Sequence, residues 1–222
     1  MVLEGLRIVL RPAKPRDLLK MMEWDQDDEV TRYIGKKFDS FKTCEDWFME
    51  ALSDPLHRVL SIDTKDGRFI GSVELDHISR KNGTAELAIV IGEREYWDRG
   101  FGTETITLTL FFAFTRVHLS RVYLRVYASN QRAIRCYEKC GFHKEGIMRP
   151  SARLVRREGP VILMSIEADH FLSSYFGDAP AASATGAVSA SGSSPAASGT
   201  TVAGGAASQG PPGGTRRGPS RG

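Results

Sequence analysis

Three features of this 222-residue chain have residue types and spacings that can do chemistry. Gly100-Phe101-Gly102 stands between a β-type stretch and a helical one. Glycines there let the backbone approach a ligand, and the following helix adds unpaired N–H groups and the positive end of its dipole. Together these suit a pyrophosphate, although the same pair also serves ordinary turns. A dinucleotide fingerprint would require glycine at the position of Thr105, and a P-loop would require Gly-Lys-Ser/Thr; neither is present. Tyr137 follows Asn130 by seven positions, on a face shared with Ala133, Ile134 and Cys140. A tyrosine so placed either packs in a core or donates its phenolic proton. Glu86 is a carboxylate in an alternating β-type stretch, a pattern that could put it on the solvated face of a sheet.

Other reactive types carry less. Cys44, Cys136 and Cys140 are odd in number and include no CxxC pair. Cys136 and Cys140 are spaced i, i+4, with no His or carboxylate placed in sequence to activate them. They read as small core residues and free thiols, which fits a cytoplasmic location. His57, His77, His118, His143 and His170 lack metal-ligand spacing, so no metal site is expected.

The elements that must position these residues follow from periodicity. Arg7 to Pro12 reads as a strand, and Asp17 as the cap of a helix through Trp24. Val30, Tyr33 and Ile34 keep helical spacing within a polar stretch, and Thr43 to Leu52 reads as a further helix stopped near Pro55. Arg58–Asp63, Phe69–His77 and Thr84–Ile91 are strands separated by Asp66-Gly67 and by Lys81-Asn82-Gly83, which predicts an antiparallel meander. Gly71 reads as an interruption of the second of these strands. A helix over Thr103 to about Arg116, a strand over Val122–Tyr127 and a helix over Asn130–Cys140 follow, the last bounded by Asn130 as N-cap and Gly141 at its end. Strands from Phe142 and over Pro160–Glu167 complete the order, giving a mixed α/β, or α+β, domain.

Composition sets the limits of that domain. Over residues 177–222, 35 of 46 residues are Ala, Gly, Ser or Pro, and none is Leu, Ile, Met, Phe, Tyr or Trp. Such a segment buries too little apolar surface to offset its ordering entropy, so a disordered tail is expected after a single folded domain over residues 1–176. The tail holds +2 of the chain's +3 net charge. The domain is therefore nearly neutral, which gives no case for a nucleic-acid partner. No apolar run approaches the ~20 residues of a membrane span, and the N-terminus lacks a signal-peptide pattern.

Two segments together carry a resemblance. Ala85-Glu86-Leu87-Ala88-Ile89-Val90-Ile91, continued by Tyr96-Trp97-Asp98-Arg99-Gly100-Phe101-Gly102-Thr103-Glu104, resembles the acyl-CoA-binding motif of the GNAT superfamily of N-acetyltransferases. Asn130-Gln131-Arg132-Ala133-Ile134-Arg135-Cys136-Tyr137-Glu138-Lys139-Cys140-Gly141-Phe142 is similar to that superfamily's next motif. Trp97, where Gln or Arg is more usual, and Leu10-Arg11-Pro12 resemble the RimJ/RimL-type branch. The likeness covers roughly residues 4–170. It implies a mixed, mostly antiparallel central sheet flanked by helices.

The same resemblance implies function. Backbone N–H groups of Trp97, Asp98, Arg99, Gly100, Phe101, Gly102 and Thr103 would hold the pyrophosphate of acetyl-CoA. The free edge of Ile89, Val90 and Ile91 would pair with the pantetheine amides. Asn130, Ile134 and Tyr137 are further expected cofactor contacts, and Arg94, Arg99, Arg132 and Arg135 either reach phosphates or are solvated. Tyr137 would protonate the departing thiolate, and Glu86 would act as base toward a primary amine attacking directly in a ternary complex. The acidic cluster Asp25, Asp27, Asp28 and Glu29 would either attract a cationic acceptor or favour a helix N-terminus. The acceptor is a protein N-terminal α-amine or a small-molecule amine, including polyamines, amino sugars and aminoglycosides. A non-catalytic acyl-CoA sensor is the reading of a different class. Exposed strand edges in this superfamily also make a homodimer an expectation.

Overall fold

The computed structural model describes residues 1–34, 38, 40–148 and 159–177, within a compact unit spanning Met1–Pro180. The tail expected beyond residue 176 lies, apart from Gly177, outside the described residues. Among the described residues there are eight strands: β1 (Leu3–Glu4), β2 (Ile8–Pro12), β3 (Arg58–Thr64), β4 (Phe69–Ser79), β5 (Thr84–Ile91), β6 (Arg121–Tyr127), β7 (His143–Met148) and β8 (Val161–Glu167). The helices are α1 (Leu18–Asp25), α2 (Asp28–Thr31), α3 (Phe41–Ser53), α4 (Phe101–Thr115), α5 (Gln131–Lys139) and α6 (Ala168–Phe176). Two 3₁₀ turns, Pro15–Asp17 and Arg94–Tyr96, precede α1 and α4.

One sheet runs in the order β1-β2-β3-β4-β5-β6-β8-β7. The expected meander β3-β4-β5 is antiparallel throughout, and every other neighbouring pair is antiparallel except β5 with β6. That parallel pair is short. It joins Thr84, Ala85 and Glu86 to Arg121, Val122 and Tyr123 and then ends, while β5 continues along β4 as far as Ile91. The two strands therefore part after Glu86, which leaves Leu87–Ile91 with one unpaired edge.

Alternation along the strands divides the sheet's faces. Leu60, Ile62, Val73, Leu75, Ala85, Leu87, Val122 and Leu124 turn to the side covered by α4, α5 and α6, where Ile106, Leu110, Ile134 and Phe171 complete the main core. α4 buries Thr105 and Thr109 as well as its apolar residues, because it is enclosed on most sides. The opposite face is covered by α1 and α3 through a smaller cluster of Ala13, Leu18, Cys44, Phe48, Ala51 and Val59.

Three local expectations change. Gly71 does not interrupt β4. A Cβ there would collide with the Val90 carbonyl of β5, so the glycine permits close approach within a continuous strand. Asp17 precedes α1 but makes no side-chain cap. Its carboxylate is 4% exposed and accepts from Arg11 at 2.6 and 2.9 Å, the Lys14 N–H at 2.8 Å and the Ser61 hydroxyl at 2.8 Å. Arg11 also grips Asp63, at 2.6 and 3.1 Å, so a buried ion network ties β2, β3 and the start of α1 together. Removing Arg11 would strand a buried carboxylate at a cost of about 3–5 kcal/mol. Finally, β1 and α6 have no counterpart in the sequence reading.

Candidate active site

The glycine loop sits at the N-terminus of α4. Gly100 is the N-cap residue, with φ +83°, so it supplies no side-chain cap, and Asp98 is also left-handed at φ +56°. From outside, the Arg7 guanidinium donates to the carbonyls of Arg99 (2.5 Å) and Gly100 (3.1 Å) while Glu104 holds Arg7 in an ion pair of 2.8 Å. With these carbonyls engaged, the N–H groups of the first α4 turn are what the loop has to offer a ligand. A Cβ on Gly102 would make only an ordinary 3.5 Å contact, with Cys136 Sγ, so protein packing does not demand glycine there. Sequence reasoning missed Arg7, which lies 93 positions from Gly100.

The parted β5 edge supplies the second part. Ala85 and Leu87 are buried, whereas Ala88 is exposed and Ile89, Val90 and Ile91 are half-buried. One acceptor of this edge is already used: the Trp97 indole donates to the Ile91 carbonyl at 2.7 Å. Arg132 stacks on the Trp97 ring, 3.8 Å from its centre, which brings the first turn of α5 to the loop. Arg94 instead bridges Asp27 and Glu29, at 3.3 and 2.9 Å, and Arg99 reaches back to the Glu95 carbonyl. Arg135 is exposed.

Asn130 caps α5, its side-chain oxygen accepting the Ala133 N–H at 3.1 Å. The other end of α5 closes in a Schellman arrangement: Gly141 at φ +94°, Phe142 N–H to the Tyr137 carbonyl at 3.1 Å, and Gly141 N–H to the Glu138 carbonyl at 3.0 Å. The accompanying apolar contact is between Phe142 and Tyr137, whose rings lie 5.9 Å apart. Tyr137 is thus both a core residue, 8% exposed, and a residue of fixed orientation. Its hydroxyl makes no hydrogen bond among the described residues. Burial pushes the phenol's pKa well up, with help from the neighbouring Cys136 and Cys140, so the group stays protonated. Ile134 is 1% exposed and packs in the core.

Glu86 faces the other side of the sheet. It is not solvated: its side chain is 14% exposed, and both oxygens accept from Arg125, at 2.6 and 2.8 Å. Arg125 and Tyr123 project from β6 on the same face, because Tyr123 is Glu86's register partner. With His77, Met148 and Leu163 they line a cleft of about 310 Å³. Burial, then the charge of Glu86, pushes the Tyr123 phenol up. His77 occupies the left-handed region at φ +52°, where β4 bulges beside the cleft.

Next along this face lie Asp76, paired in register with Glu86, and Glu74. His57 is buried between them, with Nε2 2.9 Å from Glu74 and Nδ1 3.7 Å from Asp76. Burial opposes its charge, but the Glu74 hydrogen bond and the charges of Glu74, Asp76 and Asp54 outweigh that and raise its pKa. Nothing local in sequence marks His57. The acidic cluster of the second helical stretch is largely committed elsewhere. Asp25 is buried and accepts the Phe38 N–H, Asp27 caps α2, and Arg94 pairs with Asp27 and Glu29. The turn after α2 reaches the parted strands from above, with the Tyr33 ring 6.4 Å from that of Tyr127 at the end of β6.

Residues 7–143 match the family model of an acetyltransferase (GNAT) domain. Spermidine N(1)-acetyltransferase of Escherichia coli (strain K12) is 31% identical over 140 residues, 63% of this chain and 74% of that protein. A probable N-acetyltransferase of Bacillus subtilis (strain 168), YjcK, is 34% identical over 164 residues, 69% of this chain and 90% of that protein. Among solved structures, the spermidine N-acetyltransferase from Vibrio cholerae in complex with CoA and spermine superposes with a TM-score of 0.68 at 27% identity, covering 74% of this chain and 98% of that one.

Proposed function

The chain belongs to the GNAT acetyltransferase family and is an acetyl-CoA-dependent N-acetyltransferase; from that premise we propose that its acceptor is a small polycation of the polyamine class. The observation that carries this reading is the row of carboxylates Glu86, Asp76 and Glu74 on one sheet face, starting where β5 and β6 part, with Arg125 on the first and His57 between the other two. Such a row suits an acceptor with more than one ammonium group. It also differs from the protein N-terminal α-amine, a single cation at its reacting end. The spermidine acetyltransferases among the relatives support the same choice. Leu10-Arg11-Pro12 and Trp97 support a reading within the RimJ/RimL-type branch. The exposed edge strand β7 suits a homodimer, and free thiols suit the cytoplasm.

The residues fit acetyl-CoA: an uncapped helix N-terminus with a glycine backbone for the pyrophosphate and an open strand edge for the pantetheine amides. Bound there, acetyl-CoA supplies an activated thioester. An alkyl ammonium with a pKa near ~10.4 is neutral in only about one molecule in 2,500 at pH 7. Glu86 is placed to take that proton, directly or through water, with Arg125 fixing its orientation. Tyr137 gives its proton to the departing thiolate from the face of the sheet opposite Glu86, where it belongs to the main core. The amine attacks directly, so no acyl-enzyme is needed.

The test is thiol release from acetyl-CoA over a panel of spermidine, spermine, aminoglycosides, amino sugars and N-terminal peptides. Polyamines should give the highest kcat/KM. Preference for a peptide would overturn the acceptor class. Tight CoA binding without release against any amine would favour a sensor.

A further inference from the structure

Two imidazoles interrupt the carboxylate row at the acceptor cleft. His77 lines the cleft, and its Nδ1 stands 3.0 Å from Asp76 Oδ2 and 3.9 Å from Glu86 Oε2. It does so from left-handed backbone, with its own N–H donating to Asp76 Oδ1 at 2.6 Å. His57 fills the next gap, between Asp76 and Glu74. Carboxylate and imidazole therefore alternate along this face, in the order Glu86, His77, Asp76, His57, Glu74. Asp76 is the most open of the three carboxylates, its side chain 37% exposed against 14% for Glu86 and 18% for Glu74. Arg125 and Tyr123 share the cleft with His77. Around His57 stand the charge of Asp54, the edge-on ring of Trp47 and Arg58, which donates to the His57 carbonyl at 2.9 Å.

We propose that His77 and His57 are specificity residues that set how many ammonium groups of the acceptor the cleft recognises. An imidazole carries charge only when protonated. With both rings protonated, they and Arg125 give three cations against the three carboxylates, and a second ammonium of the acceptor meets no uncompensated anion. With both rings neutral, Arg125 alone faces the three carboxylates, and Asp76 is left to attract that ammonium. His77 competes with the acceptor directly, because it reaches both Asp76 and Glu86. His57 is a positioning residue that acts through Asp76. Burial opposes charge on His57, but Glu74, Asp76 and Asp54 outweigh it, so this ring holds its proton to higher pH than an ordinary histidine. Rising pH thus turns a cleft that takes monoamines and polyamines alike into one that selects the polyamine. The inference rests on the reading of this row as the polyamine site.

The experiment measures KM for spermidine and for butylamine, which has only the reacting ammonium, between pH ~6 and ~8 at saturating acetyl-CoA. Taking the ratio of the two KM values largely cancels the neutral fraction of the attacking amine. In the wild type the preference for spermidine should grow about threefold or more over this range, with the ratio of kcat values unchanged. His57→Gln keeps a donor for Glu74 without a charge, and His77→Asn suits the left-handed backbone. The double variant should show the high preference already at pH ~6 and a flat profile, whereas Asp76→Asn should show a low preference throughout. His77→Asn alone is an exposed exchange that should lose part of the slope, and it carries the test where the buried His57→Gln does not fold. A wild-type preference that is flat with pH, or a slope that survives in the variants, would overturn the proposal while the polyamine reading stands. No preference for spermidine at any pH would overturn both.

Discussion

A tyrosine whose hydroxyl has no hydrogen-bond partner among the described residues can lose its oxygen with little harm to the fold. Tyr137→Phe keeps the ring that packs on Phe142, so it should fold normally and retain its acetyl-CoA affinity. Its kcat should fall by roughly 10²-fold if Tyr137 donates the proton. Steady-state kinetics beside a thermal melt separates the two effects, and wild-type turnover would remove Tyr137 as the acid. Glu86 is tied more closely to its surroundings, because Glu86→Gln removes both the base and the counter-charge of Arg125. The expected result is loss of the alkaline-rising limb of the pH–rate profile together with a raised KM for the amine. A profile that keeps its limb would assign the base to water. Asn130 and Gly141 were legible as the ends of a helix because their partners lie within a few residues, whereas the expected roles of Tyr137 and of Gly100-Phe101-Gly102 came from the resemblance. Arg125, Tyr123 and His57 were not legible, because β-register across β3 to β6 creates their environment, and one sequence does not print register.

At the scale of elements, the strand before the loop and the helix after it were readable from periodicity, and Thr84–Ile91 has the predicted bounds. Elements without punctuation were missed: β1 is two residues long, and α6 follows β8 with no glycine or proline between them. Asp17 shows a different limit. Its position before a helix was visible, but the cationic partner that turns its side chain away from the cap arrives from another strand. The loop makes its own prediction. Gly102→Glu would place a long anionic side chain at the α4 N-terminus, where the small glycine now meets only Cys136. The helix itself tolerates a glutamate in its first turn, so the variant should fold. It should nevertheless lose the rise in melting temperature that acetyl-CoA gives the wild type through linkage. An unchanged rise, read by scanning fluorimetry, would sink the loop assignment.

For the whole molecule, the buried ionic groups set how stability responds to pH. His57 has a raised pKa in the folded state, so its contribution is complete below its ordinary value of ~6.5 and is lost as pH rises through the folded value. Asp17 is lowered: burial opposes this, but Arg11, the Lys14 N–H and Ser61 outweigh it. Its contribution is present above the ordinary carboxylate value of ~3.9 and disappears as pH falls through the folded one. Melting temperature should therefore decline on the alkaline side of pH ~6.5 more steeply in the wild type than in His57→Gln; parallel curves would show that His57 does not carry this dependence. The parted strands have a consequence of another kind. Five strands, β1 to β5, and three, β6, β8 and β7, share a single sheet, yet the ladder between the two groups is confined to Thr84–Glu86 with Arg121–Tyr123, extended by the Gly83 carbonyl accepting from Ser120 and Arg121. Mechanically this is a notched plate: a load applied across the strands concentrates at those three pairs and opens the notch first. A ligand that bridges the notch acts as a rivet: with acetyl-CoA bound along the β5 edge as proposed, the molecule consumed in the reaction would also stiffen the sheet.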